Sequence, residues 1–153
     1  MPGVYNIGMR FVSPADDLLR AAGGLSRWAS AQAALGVPSG QLRLLASIEE
    51  REPIRVGDLA EVDHTSQPAV TRQVGRLEAL GWAERTADPD DARASLVSLT
   101  TEGMVALTAA RQARGEVLAR VIAEAQVDAD EVRRAAELLD HLLTAARRVA
   151  EKA

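Results

Sequence analysis

The sequence predicts a mainly α fold with one small β-hairpin, and three observations carry that reading. Ala, Leu, Val and Arg dominate, while aromatic residues make up only 3% of the 153 positions, a mixture that favours helices with small aliphatic packing faces. Most of the chain spaces its apolar residues three and four apart, the helical period. The exception is a pair of short β-prone runs around Asp88-Pro89-Asp90-Asp91, a segment with the chemistry of a tight turn. At 47% hydrophobic content the chain can fill one core but not two, so residues 1–153 are expected to form a single domain.

A short lead holds Tyr5, Ile7, Phe11 and Val12. Ser13, Pro14 and Asp16 then supply an N-cap, a proline at the first helical position and an early acid, so a helix is expected from 13 to 36. Leu18, Leu19, Ala22, Leu25 and Ala29 line one side of it, and Gly23-Gly24 weakens it by roughly 1 kcal/mol per glycine relative to alanine. Ser39 is expected to cap a second helix with Leu42, Leu45, Ala46 and Ile48 inward, closed by the charged run 49–52 before Pro53. Two short helices follow. Residues 56–62 turn Leu59 and Ala60 inward; residues 66–80 align Val70, Val74, Leu77 and Leu80; Asp63-His64-Thr65 is the tight link between them. Gly81 ends the second of these, and 82–85 and 96–99 read as the two strands of the hairpin. Thr100 or Thr101 with Glu102 opens a long helix through Ala125. Asp128 opens a last one with Val132, Ala136, Leu139, Leu143 and Ala146 on one face.

Two short helices joined by a three-residue link and followed by a hairpin make a winged helix-turn-helix, which presents its second helix to a DNA major groove. The expected fold class is therefore mainly α, an α+β winged helix: a DNA-binding lobe at 41–101, with long helices at 13–36 and 102–150 outside it. On a helical wheel, Arg72, Gly75 and Arg76 lie opposite Val70, Val74 and Leu77, with Thr71 on the flank. Arginine suits bidentate contact with guanine or a phosphate, and Ser66, Gln67 and Thr71 bring hydroxyl and amide groups to the helix start, where phosphate is also favoured. On an isolated helix the same arginines would be an ordinary solvated face. Residues 41–100 hold seven Arg and no Lys against eleven Asp and Glu, so DNA attraction demands that the arginines be segregated onto one face.

Three segments resemble the multiple-antibiotic-resistance regulator (MarR) family. VTRQVGRLE at 70–78 is similar to its recognition helix, GWAERT at 81–86 to the following turn and strand, and DPDDARASLVSLTTEG at 88–103 to its wing and next helix start. The resemblance implies that Ser66, Gln67, Pro68, Thr71 and Arg72 approach base edges, that Arg76 meets a phosphate or base, and that Arg93 enters the minor groove. It also implies a wing salt bridge between Asp91 and Arg93. Arg51, Arg55 and Arg85 read equally as phosphate contacts or as surface charges paired with Glu50, Glu52 or Glu84.

The terminal helices exceed what one winged helix needs, and their apolar stripes call for a partner, so a homodimer reading a pseudo-palindromic site in double-stranded DNA is expected; closure into an intramolecular bundle is the alternative. The family resemblance implies release from DNA by a small aromatic or amphipathic effector, and Trp28 is a candidate for its pocket, or else a core or interface anchor. With no cysteine, thiol redox sensing and thiolate metal sites are excluded. His64 and His141 lie far apart without ligand spacing, so neither metal nor other cofactor is expected. No apolar run of membrane-spanning length occurs and the first residues lack a signal-peptide layout, which favours the cytoplasm. There is no GxSxG, P-loop or HExxH, so no enzyme is read. A dimeric interaction module that has lost DNA reading, or a repressor without an effector, are the competing functions.

Overall fold

The computed structural model describes residues 13–33, 37–91 and 93–150; Tyr5, Ile7, Phe11, Val12 and the expected helix end at Gly36 lie outside them. Six helices and three strands follow in order: α1 Pro14–Gln32, α2 Ser39–Glu49, β1 Ile54–Arg55, α3 Val56–Val62, α4 Gln67–Ala79, β2 Ala83–Ala87, β3 Ser95–Leu99, α5 Thr101–Glu124 and α6 Ala129–Ala150. The chain divides into two compact units, Met1–Gly115 and Glu116–Ala153, and the winged helix-turn-helix lies wholly within the first.

Local chemistry accounts for the boundaries. Ser13 and Asp16 form a reciprocal capping box at α1, each bonding the other's backbone N–H. Three helices end alike. At the end of α4, Gly81 takes φ +71 while its N–H donates to Glu78 O and that of Trp82 to Leu77 O, a paired closure that satisfies otherwise orphaned carbonyls. His64 (φ +48) closes α3 and Gln126 (φ +53) closes α5 with the same pair of bonds. The sequence reading of Ser39 as a cap is corrected: Pro38 occupies that position without a side-chain bond, and Ser39 is the first helical residue.

The sheet order is β1-β3-β2, all antiparallel. β1 was not expected, since two residues carry no period; it exists because Ile54 and Arg55 pair with Val97 and Leu96. Beyond it Pro53 has no N–H to offer, and the Glu52 carboxylate takes its place along β3 by accepting the Leu99 N–H at 2.6 Å. The core of the first unit unites α2 (Leu44, Leu45, Ile48), α3 (Leu59), α4 (Val70, Val74, Leu77), β3 (Val97) and the start of α5 (Leu107), all essentially without solvent exposure. Leu80, read as part of the α4 stripe, is half exposed because it caps the helix rather than continuing it.

α5 enters this core through Gly103, whose position beside the Trp82 backbone leaves no room for a side chain. Arg111 further along α5 forks onto both oxygens of Glu49 at the end of α2, at 2.9 and 2.6 Å. That pairing holds the Glu49 carboxyl below its ordinary titration range. α6 behaves differently: Leu138, Leu139, Leu142, Leu143 and Val149 are all exposed. Among the described residues no helix is long and apolar enough to cross a membrane.

Candidate nucleic-acid interface

The two faces of α4 separate as its sequence requires. Val70, Val74 and Leu77 are fully buried, while Ser66, Gln67, Pro68, Thr71, Arg72 and Arg76 are all exposed. Ser66 stands at the N-cap with its hydroxyl making no cap bond, and Pro68 follows in the first turn, where its missing N–H removes no helical bond. Thr71 donates its hydroxyl to the Gln67 carbonyl at 2.8 Å, which leaves its oxygen lone pairs facing solvent. Arg72 and Arg76 also line a shallow groove against Gln41 and Arg43 of α2.

The lobe's net negative charge is resolved by pairing. Of its seven arginines, four are engaged: Arg43 with Asp63 (2.9 Å), Arg51 with Glu50 (3.1 Å), Arg55 with Asp88 (2.5 Å) and Arg85 with Glu78 (3.2 Å). Among the described residues, Arg72, Arg76 and Arg93 form no ion pair. The three arginines singled out for DNA are thus the three in the lobe whose guanidinium groups are free to meet an external anion. Of the others, only Arg51 takes one of the three glutamates named as partners; Arg55 and Arg85 reach acids that neither sits beside in sequence.

The wing carries Arg93 in an exposed turn. The expected Asp91–Arg93 salt bridge is corrected: the Asp91 carboxylate accepts the Arg93 backbone N–H at 2.9 Å, shaping the turn, while the ion pair of the wing is Arg55–Asp88. Asp88 is a buried acid whose carboxyl is held below its ordinary range, first by the Arg55 hydrogen bond and then by the Asp90 N–H. Sequence reasoning missed this pair because its members are separated by 33 residues. Arg85 ties the β2 strand, at the base of the wing, back to α4 through Glu78.

An open cavity of about 610 Å³ lies among α1, α2 and Arg114 of α5. Its polar lining is Arg27, Arg43 and Arg114 with Ser26, Ser30 and Ser39. Trp28 is not on that lining; it is 40% exposed on α1 while its neighbours Ser26, Arg27, Ser30 and Ala31 face the cavity. No sequence motif announces this site, since its three arginines come from three helices. Among the described residues there is no group of three or more His, Asp or Glu able to hold a metal ion.

Comparison with known proteins agrees with this geometry. Residues 37–95 match the model of the MarR family. The multiple antibiotic resistance protein MarR of Escherichia coli (strain K12) is 33% identical over 109 residues, 71% of this chain and 75% of that protein. A solved structure of the multiple antibiotic resistance repressor MarR superposes with a TM-score of 0.71 at 28% identity, covering 86% of this chain and 95% of that one. A mutant MarR from Escherichia coli complexed with operator DNA gives 0.58 at 28% identity, covering 87% and 98%. The family model over residues 37–95 and one-third identity across 71% of the chain, on a fold that superposes with solved MarR structures, place this protein in the MarR family, whose members are transcription regulators rather than enzymes.

Proposed function

We propose that the chain is a sequence-specific DNA-binding transcription regulator of the cytoplasm, acting as a homodimer on a pseudo-palindromic operator and relieved by a small acidic effector. The observation that carries it is the partition of arginines: four neutralised within the lobe, and Arg72, Arg76 and Arg93 exposed and unpaired on α4 and the wing. In this reading Ser66, Gln67, Pro68, Thr71 and Arg72 read base edges from the N-terminal part of α4, Arg76 takes a phosphate or base, and Arg93 enters the minor groove. The related MarR structure solved in complex with operator DNA supports DNA binding as the function.

Homodimer formation is supported by Leu18, Leu19, Leu25 and Trp28 on α1 and by the leucines of α6, all exposed among the described residues. An effector is supported by the arginine- and serine-lined cavity, where Arg27 and Arg114 form no ion pair among the described residues and suit a carboxylate on a small aromatic body. The test is selection of duplexes from a random pool, followed by footprinting and light scattering. A dyad-symmetric footprint with a dimer mass supports the proposal; a monomer enriching no duplex refutes it. A thermal-shift series with benzoate, salicylate and the neutral benzyl alcohol tests the effector site, with stabilisation expected from the acids alone.

A further inference from the structure

The wing bears the arginine assigned to the minor groove, yet its tip has little hold on the rest of the lobe. The described residues 88–91, 93 and 94 are organised by their own bonds: the Asp88 N–H donates to Ala94 O, the Ala94 N–H to Asp91 O, the Asp90 N–H to the Asp88 carboxylate and the Arg93 N–H to the Asp91 carboxylate. Among the described residues, one side-chain bond ties this tip to an element outside the hairpin. The Arg55 Nε–H donates to the second oxygen of Asp88 at 2.5 Å.

That bond crosses the sheet. Arg55 stands on β1, Asp88 lies just beyond β2, and β3 runs between them. The Asp88 side chain is only 2% exposed, at the edge of an open recess whose lining mixes Ile54, Val62 and Leu96 with Arg51, Asp58 and Asp90. Among the described residues, Arg55 is the one side chain from outside the hairpin that bonds this carboxylate; without it only the turn's own N–H groups hold Asp88, and nothing fixes the tip against β1. Asp88 also accepts the N–H that starts the turn, so its movement carries the tip, and Arg93 with it. The same pair cancels one of three acids on a tip that holds Asp88, Asp90 and Asp91 against a single arginine.

We propose that Arg55 is the positioning residue of the wing, holding Asp88 so that Arg93 stands at the depth and pitch needed to enter the minor groove. This rests on the DNA-reading function proposed above. Arg55 does not itself touch DNA in this account: it acts through Asp88, and the exposed remainder of its side chain does no reading.

The experiment is a double-mutant cycle on the full-length protein, using a duplex enriched by the wild type from a random pool. Arg55→Gln, Arg93→Ala and the double variant are compared by binding affinity and its salt slope, with hydrogen exchange of the Asp90 amide as a DNA-free readout. Loss of Arg93 is expected to weaken binding about tenfold. Arg55→Gln is expected to approach the same loss, the double variant to be no weaker than Arg93→Ala, and Asp90 exchange to accelerate while α4 amides keep their protection. Losses that multiply to about a hundredfold in the double variant would mean that Arg55 meets DNA by itself and would overturn the proposal. An Arg55→Gln variant that binds as wild type, or leaves Asp90 exchange unchanged, would overturn it too. Asp88→Asn, which keeps the Asp90 acceptor and removes the buried charge, runs the same cycle should Arg55→Gln fail to fold. A wild type that enriches no duplex refutes the DNA reading itself, and the wing assignment falls with it.

Discussion

Gly103→Ala is the sharpest structural test available, because the structure fixes what the new methyl would strike. A Cβ at this position falls 2.0 Å from the Trp82 carbonyl oxygen and 2.8 Å from its carbon. Both are backbone atoms, and they cannot rotate away as a side chain would. The Trp82 carbonyl is also committed, accepting the Thr100 N–H at 3.1 Å, while Thr100 donates its hydroxyl to Gly81 O and accepts the Gly103 N–H. Relieving the clash therefore separates α5 from the point where the hairpin leaves and rejoins the lobe. Overpacking of this kind costs about 3 kcal/mol or more when backbone must move, and the strained Thr100–Trp82 bond adds about 1 kcal/mol. Alanine returns roughly 1 kcal/mol in helix propensity. The net loss of about 3 kcal/mol corresponds to a melting point lower by roughly 6–12 °C for a chain of this size. Calorimetry of the variant beside Gly75→Ala, whose Cβ meets nothing within 4 Å, gives the comparison; Gly75→Ala is expected to raise the melting point by a few degrees. A Gly103→Ala variant as stable as wild type would refute the close approach of α5 to Trp82.

Three further outcomes follow from the packing and the charges. Leu77→Ala removes a fully buried side chain of α4 and is expected to cost about 2–5 kcal/mol in urea unfolding, whereas Leu80→Ala at the exposed cap costs under about 1 kcal/mol. Glu49 and Asp88 both titrate below their ordinary values in the folded chain, so their contribution is complete above the unfolded carboxylate range and is lost as pH falls through the folded one. Stability is thus expected to hold from pH 7 to 5 and to decline below about pH 4, and Glu49→Gln should flatten that acid decline; an unchanged acid limb would contradict the Arg111–Glu49 pairing. Leu143→Arg on the exposed face of α6 is expected to convert a dimer to a monomer by light scattering with the first unit still folded, and a dimer unaffected by it would move the interface elsewhere.

Much of this architecture was legible before any coordinates, where one physical signal decided the outcome. The four-residue spacing of Val70 and Val74, with Leu77 a turn beyond, allows one buried face, and Arg72 and Arg76 then have only the opposite one. Gly81 and the Asp-Pro-Asp-Asp turn mark chain reversals that few residues tolerate. What escaped were features set by distant partners. β1 has no pattern of its own and exists through Val97 and Leu96. The partner of Arg55 is a buried acid 33 positions away, not Glu52, which spends its carboxylate on the Leu99 N–H. Trp28 drew notice as a rare aromatic, yet the cavity is lined by the smaller and charged residues beside it. Net charge, eleven acids against seven arginines, called for segregated arginines but not for which acids would pair; the ion pairs of Arg43, Arg51, Arg55 and Arg85 supply that partition.

The measurement that bears most directly on the central claim is duplex binding by wild type, Arg72→Ala and Arg93→Ala across a salt series. Wild type is expected to bind tightly with a steep salt dependence, and each variant to lose about 5- to 150-fold in affinity with a slope shallower by about one for the charge removed. Binding that neither substitution weakens, or a wild type whose affinity ignores salt, would contradict it.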